Sequence, residues 1–354
     1  VGLLAPAGVA RGQTGGFHTR SARGTHPLPE GYGPRGPVGP SDKEMAPEAP
    51  VVTVRGEGRN ARYLAYPPDD SEVFRKALAE AAEKGGGVVY VPPGVYRIDQ
   101  RVTVPAKVTL HGAGRATHLY TTKLDGTGMF STDGDGIRFT QFRIQGPTTV
   151  RAVQNGSRGI SVRHKDCRID HLELSGFGQA AIAAGRNAEA TVEYVYDHHN
   201  TQNGFGYGVS VTGGAKVLVT DSEFEQNRHA IASNSRGTQY QCMYCYLHGF
   251  DETYPQAALD THPGMAGKIE VAHNFFEDLR EGLSLSDGEG TIHDNMARNV
   301  RQFCTFREGV HNGRVVPGAE VHDFVAERNR LEDVATPYNV RAGRNLMVDG
   351  KKLR

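Results

Sequence analysis

The chain has 354 residues, with 40 acidic and 40 basic side chains, 45 glycines, 14 tyrosines and no tryptophan. Neutrality argues against a general nucleic-acid binder, which would carry a basic excess, and no apolar run approaches the ~20 residues needed to cross a bilayer. A turn-rich solenoid can exceed ordinary domain length as one unit, so this length does not by itself require two domains.

Residues 1–52 scatter Pro, Gly and Arg without apolar periodicity, as in Gly31-Tyr-Gly-Pro-Arg-Gly-Pro37, and read as an irregular arm. The opening, Gly2 to Ala10, is read as ordinary coil or as the tail of a secretion signal cleaved after Ala10. The second reading makes the protein secreted or surface-associated. Residues 53–354 read as a single β-helix domain. Asp69 to Glu72 fits the start of a helix over about 70–84, with Phe74, Leu78 and Ala82 on one face and Gly85-Gly-Gly87 as its stop. Such a helix would cap the open end of the first coil and remove its exposed edge. Val88 to Ile98 follows as strand, turn and strand.

Between Tyr207 and Arg341 one short pattern recurs six times. Gly208-Val-Ser-Val211, His229-Ala-Ile-Ala232, Ala257-Ala-Leu-Asp260, Gly282-Leu-Ser-Leu285, Phe303-Cys-Thr-Phe306 and Pro337-Tyr-Asn-Val340 open the units. Second strands follow at Val217–Val219, Tyr240–Cys242, Ile269–Val271, Thr291–His293 and Glu320–His322. Each unit is too short to bury a core alone, so the units must stack and share one, which predicts an all-β parallel β-helix. Asn200, Asn227, Asn274, Asn299 and Asn329 recur near the ends of second strands, where Asn tolerates a left-handed backbone and bends the chain between sheets.

Alternation along the first strands sends Val209, Val211, Ile231, Leu259, Leu283, Leu285, Phe306 and Val340 inward. Their neighbours form an outward ladder: Ser210 and Thr212, Ala230 and Ala232, Asp260 and His262, Ser284 and Ser286, Thr305 and Arg307, Asn339 and Arg341. Small residues beside a carboxylate, an imidazole and guanidinium groups suit a groove floor. Asp260-Thr-His262 is the sharpest element, because i and i+2 share a face and the anion favours protonated His. The ordinary alternative is an exposed ion pair; His229 one coil earlier and Tyr207 in the coil before that favour chemistry. Cys242-Met-Tyr-Cys245 has half the spacing of a zinc site, but no second pair follows, so structural thiols are expected.

The run Asp70-Ser-Glu-Val-Phe-Arg-Lys-Ala-Leu78, then Gly85 to Tyr96, then Val108-Thr-Leu-His-Gly-Ala-Gly114, resembles the amino-terminal cap and first coils of the pectate-lyase-like superfamily. The likeness extends over about residues 60–345. It implies a right-handed solenoid, the hand that parallel crossovers also favour, and enzymes, tailspikes and proteins of no known activity all share that architecture. Asp260-Thr-His262 is similar to the Asp-Pro-His element of mannuronan C5-epimerases, whose Asp and His belong to the catalytic centre. One branch of them has a Tyr three residues before the Asp. Ala257 holds that place here, which leaves Tyr207, Tyr240 and Tyr254 as substitutes.

The resulting expectation is an enzyme that abstracts the C5 proton of a uronic acid in an acidic polysaccharide, as a β-eliminating lyase or an epimerase. Asp260, His262, His229 and Tyr207 form the expected catalytic set, and Arg228, Ser284, Ser286, Arg307, Arg341, Tyr240 and Tyr254 the expected substrate contacts. A base must meet C5, and cations must neutralise charge growing on the adjacent carboxylate. Glycoside hydrolysis is the rival, pairing Asp260 with Asp251, Glu252, Asp287 or Glu308; a non-catalytic carbohydrate-binding solenoid is the second rival. No cofactor is required by this chemistry. Calcium at Asp251-Glu252 and a transition metal at His229, Asp260, His262 and His199 are the ion-binding alternatives.

Overall fold

The computed structural model describes residues 28–54, 68–126, 128–150, 153–249, 257–264, 267–311 and 313–353. One helix, Ser71–Glu83, precedes a right-handed parallel β-helix. Asp69 holds the helix start by accepting from Ser71 N at 3.0 Å. The buried stripe is Phe74, Ala77, Leu78 and Ala81, and Ala82 faces outward. The stripe packs onto the first coils, where the Phe74 and Tyr96 rings meet edge to face. No helix among the described residues is long and apolar enough to cross a membrane.

Each coil contributes a strand to three sheets. The first face holds Gly128–Asp133, Arg158–Val162, Ala180–Ala184, Tyr207–Val211, His229–Ser233 and Ala257–Thr261 in parallel register. It then continues through the second halves of Phe275–Leu285, Met296–Phe306 and Arg330–Val340. The second face includes Glu189–Glu193, Lys216–Thr220, Gln239–Met243 and Lys268–Ala272. The third includes Tyr196–His198, Glu223–Glu225 and Tyr246–His248. The repeat therefore begins well before Tyr207. The core is a stack of aligned columns, one of them Ile160, Ile182, Val209, Ile231, Leu259 and Leu283, all buried.

Buried asparagines close the turns. Asn200 N and Nδ2 both donate to Asn227 Oδ1 at 3.0 Å. On the turn between the second and third faces, Asn274 donates to Asn295, and Asn295 to Asn329, through the same pair of bonds. Asn299 was the expected member of this series, but Asn295 occupies the position. Asn299 is instead an exposed residue with φ 52°, placed where the long strand Met296–Phe306 bends from the third face to the first. Cys245 sits in the same turn column and donates its N–H to Asn274 Oδ1 at 2.8 Å. All four cysteines are buried thiols.

Asp197 points into the core, and burial raises its carboxyl well above the usual carboxylate range despite bonds from Asn227 and Asn200. A group whose pKa is higher folded than unfolded contributes stability at low pH and loses it as pH rises towards the folded value. The melting temperature of Asp197→Asn relative to wild type is therefore expected to improve steadily from pH 5 to pH 8. A constant difference across that range would show that Asp197 ionises at no cost.

Residues 28–54 have little regular structure and run along the solenoid against the order of the coils. Gly33 N donates to His273 O, Gly39 N to Tyr194 O and Ser41 N to Gln141 Oε1, and Val52–Thr53 pair with Val89–Tyr90. Arg35 clasps Asp221 through Nε at 2.8 Å and the terminal Nη2 at 2.7 Å, with its guanidinium 3.9 Å above the Tyr244 ring. The proposed signal remnant at residues 2–10 lies outside the described residues.

Candidate active site

Insertions between the third and first faces set the position of the site. In the coils leading to Tyr207, His229 and Ala257, the two strands are separated by residues 199–206, 226–228 and 249–256. In the next three coils the same corner is a bend inside one 11-residue strand. The described connections, residues 199–206 and 226–228, thus lie along one edge of the first face beside the strands of Tyr207 and His229.

Strict alternation fails at the start of these strands. Gly208, Ala230 and Ala258 occupy the position after the strand's first residue, and both alanines are fully buried core residues; a Cβ at Gly208 would lie 2.6 Å from Asp197 Oδ1. Val209, Ile231 and Leu259 also point inward. Two consecutive inward residues leave the strand-initial side chains outward, on the same side as Ser210, Ala232 and Asp260. Tyr207 and Ala232 accordingly pack together outside the main core. Ala230, expected on the outer ladder, is therefore a core residue.

The structure brings Tyr207, Arg228, His229, Asp260 and His262 together. His262 Nε2 lies 2.8 Å from Asp260 Oδ2. The Tyr207 and His229 rings stack with centroids 5.6 Å apart, and each stands 6.4 Å from the His262 ring, edge-on. One terminal nitrogen of Arg228 donates to Tyr207 Oη at 3.1 Å and to Gly204 O at 3.2 Å. His229 Nδ1 lies 2.6 Å from Ala257 O, which puts the proton on Nδ1 and leaves Nε2 as the lone-pair nitrogen. Burial lowers the His229 pKa to about 4, against the pull of Asp260. Its 3.8 Å approach to Asp260 is thus made by a neutral ring rather than an ion pair.

His262 is the more accessible imidazole, with 23% of its side chain exposed against 3% for His229. Burial works against its charged form, but the hydrogen bond and charge of Asp260 prevail and raise its pKa. For Asp260 burial is likewise outweighed: the hydrogen bond and charge of His262 and the charge of Arg228 hold the carboxyl below the usual range, and neutral His229 adds no charge to that balance. Burial raises the Tyr207 hydroxyl, an effect that Arg228 opposes. The cluster therefore combines an ionised carboxylate, a titratable imidazole near the surface, a neutral imidazole beneath it and a guanidinium–phenol pair.

Thr261 anchors the triplet from inside. Its hydroxyl donates to Asp287 O at 3.1 Å and accepts from Ser286 N at 3.0 Å. Thr261→Val strands these groups in the core and is expected to cost about 1–3 kcal/mol, read as a lower urea midpoint. An unchanged midpoint would mean that neighbouring groups replace both bonds.

The remaining predicted residues are spread more widely. Ser284 adjoins Asp260 in register, and Ser286 follows it on the same coil; both are nearly buried. Arg307 lies two coils from His262 and pairs with Glu281 at 2.6 Å, whereas Arg341 is exposed one coil further on. Tyr240, expected to contact sugar, is a core residue: its register with Val217 and Ile269 makes it part of an inward column, and it is 1% exposed. Tyr254, Asp251 and Glu252 lie outside the described residues. His199 belongs to the turn after the third face, where its Nδ1 meets that of His198 at 2.9 Å, apart from His229 and Asp260. A group of three ligand-type side chains, Glu289, His322 and Asp323, lies instead on the second face, where Arg344 and Asn345 already contact Asp323.

Glu281 is a further charged group on this face. It occupies the strand-initial position of its coil in register with Ala257, and its Oε1 is buried without a hydrogen bond. The signal was present in the sequence: Glu281 precedes Gly282-Leu-Ser as Tyr207 precedes Gly208-Val-Ser.

The fold is a parallel β-helix that carries an acid–imidazole cluster on one sheet. The chain belongs to the rhamnogalacturonase A/epimerase, pectate lyase-like family, whose model matches residues 67–253. A Streptococcus pneumoniae plasmin and fibronectin-binding protein A is 25% identical over 166 residues, spanning 44% of this chain but 22% of that protein. An exopolygalacturonase from Thermotoga maritima superposes with a TM-score of 0.58 at 12% identity, covering 89% of this chain and 95% of the other. The A-module of an Azotobacter vinelandii mannuronan C-5 epimerase gives 0.54 at 14% identity, covering 80% and 94%. At these identities the structural likeness is one of fold.

Proposed function

We propose that the protein modifies a uronic acid-containing polysaccharide by C5 proton abstraction, as a lyase or an epimerase. The observation that carries this reading is the contact between Asp260 and the partly exposed His262, set beside the Arg228–Tyr207 pair. In this reading neutral His262 removes the C5 proton, and Asp260 orients the ring and stabilises the imidazolium that forms. Arg228 meets the substrate carboxylate, where charge develops as the C–H bond breaks. Neutral His229 is a positioning residue that ties this strand to Ala257. Loss of the O4 leaving group then gives elimination, and return of a proton to the opposite ring face gives epimerisation. The family and the named activities of the similar folds, an exopolygalacturonase and a mannuronan epimerase, support a polysaccharide substrate. A secreted or surface location follows from such a substrate.

Hydrolysis is a second reading, favoured by Glu281 on the same face as Asp260, whose Oε1 accepts no hydrogen bond while its other oxygen pairs with Arg307. Asp287 does not serve that role, because its carboxylate accepts backbone N–H groups from Gly264, Gly288 and Glu320. Proton NMR of alginate and pectate incubated with the protein in D2O separates the readings. A 4,5-unsaturated signal marks elimination, and deuterium at C5 with a changed residue identity marks epimerisation. New reducing ends alone mark hydrolysis and overturn the C5 mechanism.

A further inference from the structure

The outward column through Asp260 extends far beyond the catalytic cluster. Thr103, Ser131, Ser161, Ala183, Ser210, Ala232 and Asp260 are successive partners in register. Six steps at about 4.8 Å separate Thr103 from Asp260, roughly 29 Å along the axis. No side chain in that run is larger than Thr until Asp260 is reached, so the floor is low and continuous.

At its far end lies a depression of about 400 Å³ lined by Arg101, Thr103, Ser131, Arg163, His164 and Arg186, with Asp133 as its one carboxylate. Arg158 stands close by, in register with Ala180 and, through it, Tyr207. Burial and the charges of Arg101 and Arg163 lower the Arg158 pKa, so these cations crowd one another. Among the described residues none of the four guanidinium groups has an ion pair or a side-chain hydrogen bond. Elsewhere on the solenoid arginines are routinely paired, as Arg138 is with Asp170 and Arg298 with Glu277. Arg186 also adopts φ 55°, a left-handed turn conformation that costs free energy for a residue with a side chain. In a chain with no net charge, four uncompensated arginines at one end of a small-residue floor are a built concentration of positive charge.

We infer that this arginine pocket is a distal anion subsite, and that it anchors an acidic glycan chain whose reacting residue lies at His262. The inference rests on the reading of the site as one for uronates. Arg163 stands two residues beyond Ser161, as His262 stands two beyond Asp260. The ladder bonds of Gly185, Thr212, Asn234 and His262 continue that column coil by coil. Four steps, roughly 19 Å, separate Arg163 from His262. A pyranose with its linkage oxygen spans about one ~4.8 Å coil, so a chain of about five or six residues reaches from the base to the arginines. A guanidinium takes a carboxylate through two parallel bonds, and several such contacts on one chain act as a multivalent grip. Arg307 and Arg341 continue the positive line on the other side of His262, and Arg307 is partly neutralised by Glu281.

The test is calorimetric titration of the full chain with galacturonate and mannuronate oligomers of two to eight residues, at low and high salt. Affinity is expected to rise steeply between about four and six residues and to weaken in high salt. Arg163→Ala/Arg186→Ala should lower octamer affinity about tenfold and flatten that rise, with the paired Arg→Lys substitutions restoring part of it. Lys216→Ala/Lys268→Ala, on the second face, should bind the octamer as wild type does. An octamer no tighter than a trimer, or an unchanged octamer affinity in the double arginine variant, overturns the subsite. So does equal, arginine-dependent binding of a uridine oligonucleotide, which would reassign the pocket to phosphates. Binding is read without turnover, so the two readings can fail separately. Arginine-dependent octamer binding with no C5 exchange refutes the chemistry and keeps the subsite. Turnover with length-independent affinity refutes the subsite and keeps the chemistry, and no binding to either series overturns both.

Discussion

His262→Ala is expected to lower uronate turnover about 10²- to 10⁴-fold, the usual contribution of a positioned proton-transfer group. The side chain is only partly buried, so the fold should survive and the melting temperature should move little. Asp260→Asn gives the more informative profile. The hydrogen bond and charge of Asp260 raise the His262 pKa against burial, and the neutral imidazole is the base. The rate constant kcat/KM should therefore climb with pH through that raised value in the wild type. With Asn in place of Asp, burial of the imidazole is no longer outweighed, so the climb should move to lower pH while its plateau falls. A wild-type profile that descends with pH through the same region would make His262 the acid. A profile unmoved by Asp260→Asn would remove the pair from the mechanism.

The same residues show what a linear sequence can reveal about such a site. Asp260 and His262 are legible because i and i+2 share a face in any strand, and their register with Ser210, Ala232 and Ser284 follows from the repeat. Tyr207 and His229 are harder to read, because alternation from Val209 and Ile231 would turn them into the core. They face outward because Gly208 and Ala230 are small enough to turn inward beside their neighbours. Glu281 has the same position and was hidden by the same assumption of strict alternation. Tyr240 was misplaced for a different reason: an aromatic near a long loop suggests a sugar platform, but its pairing with Val217 and Ile269 makes it a core residue. The arginine pocket was invisible because Arg101, Arg163 and Arg186 come from three coils, and only stacking brings them together.

Asn295→Ala should produce one of the larger losses of stability, about 2–5 kcal/mol, because one side chain serves several buried partners. Its Oδ1 accepts from both Asn274 N and Nδ2. Its Nδ2 donates to Val271 O, His293 O and Asn329 Oδ1. Alanine removes all of these bonds and leaves the buried Asn274 N–H without its acceptor, while Asn329 Oδ1 keeps only the backbone N–H of residue 295. Solenoid coils contact mainly their neighbours, so damage should centre on residues 271–296 and spread through adjacent interfaces. Hydrogen exchange should therefore quicken first at Asn274 and Phe275 as the urea midpoint falls. Asn299→Ala is the matched control: Asn299 is exposed, and among the described residues its side chain bonds only Asp278, at 2.8 Å. Equal destabilisation by the two substitutions would mean that the buried ladder is no stronger than a surface contact, and that the coils are held by apolar stacking alone.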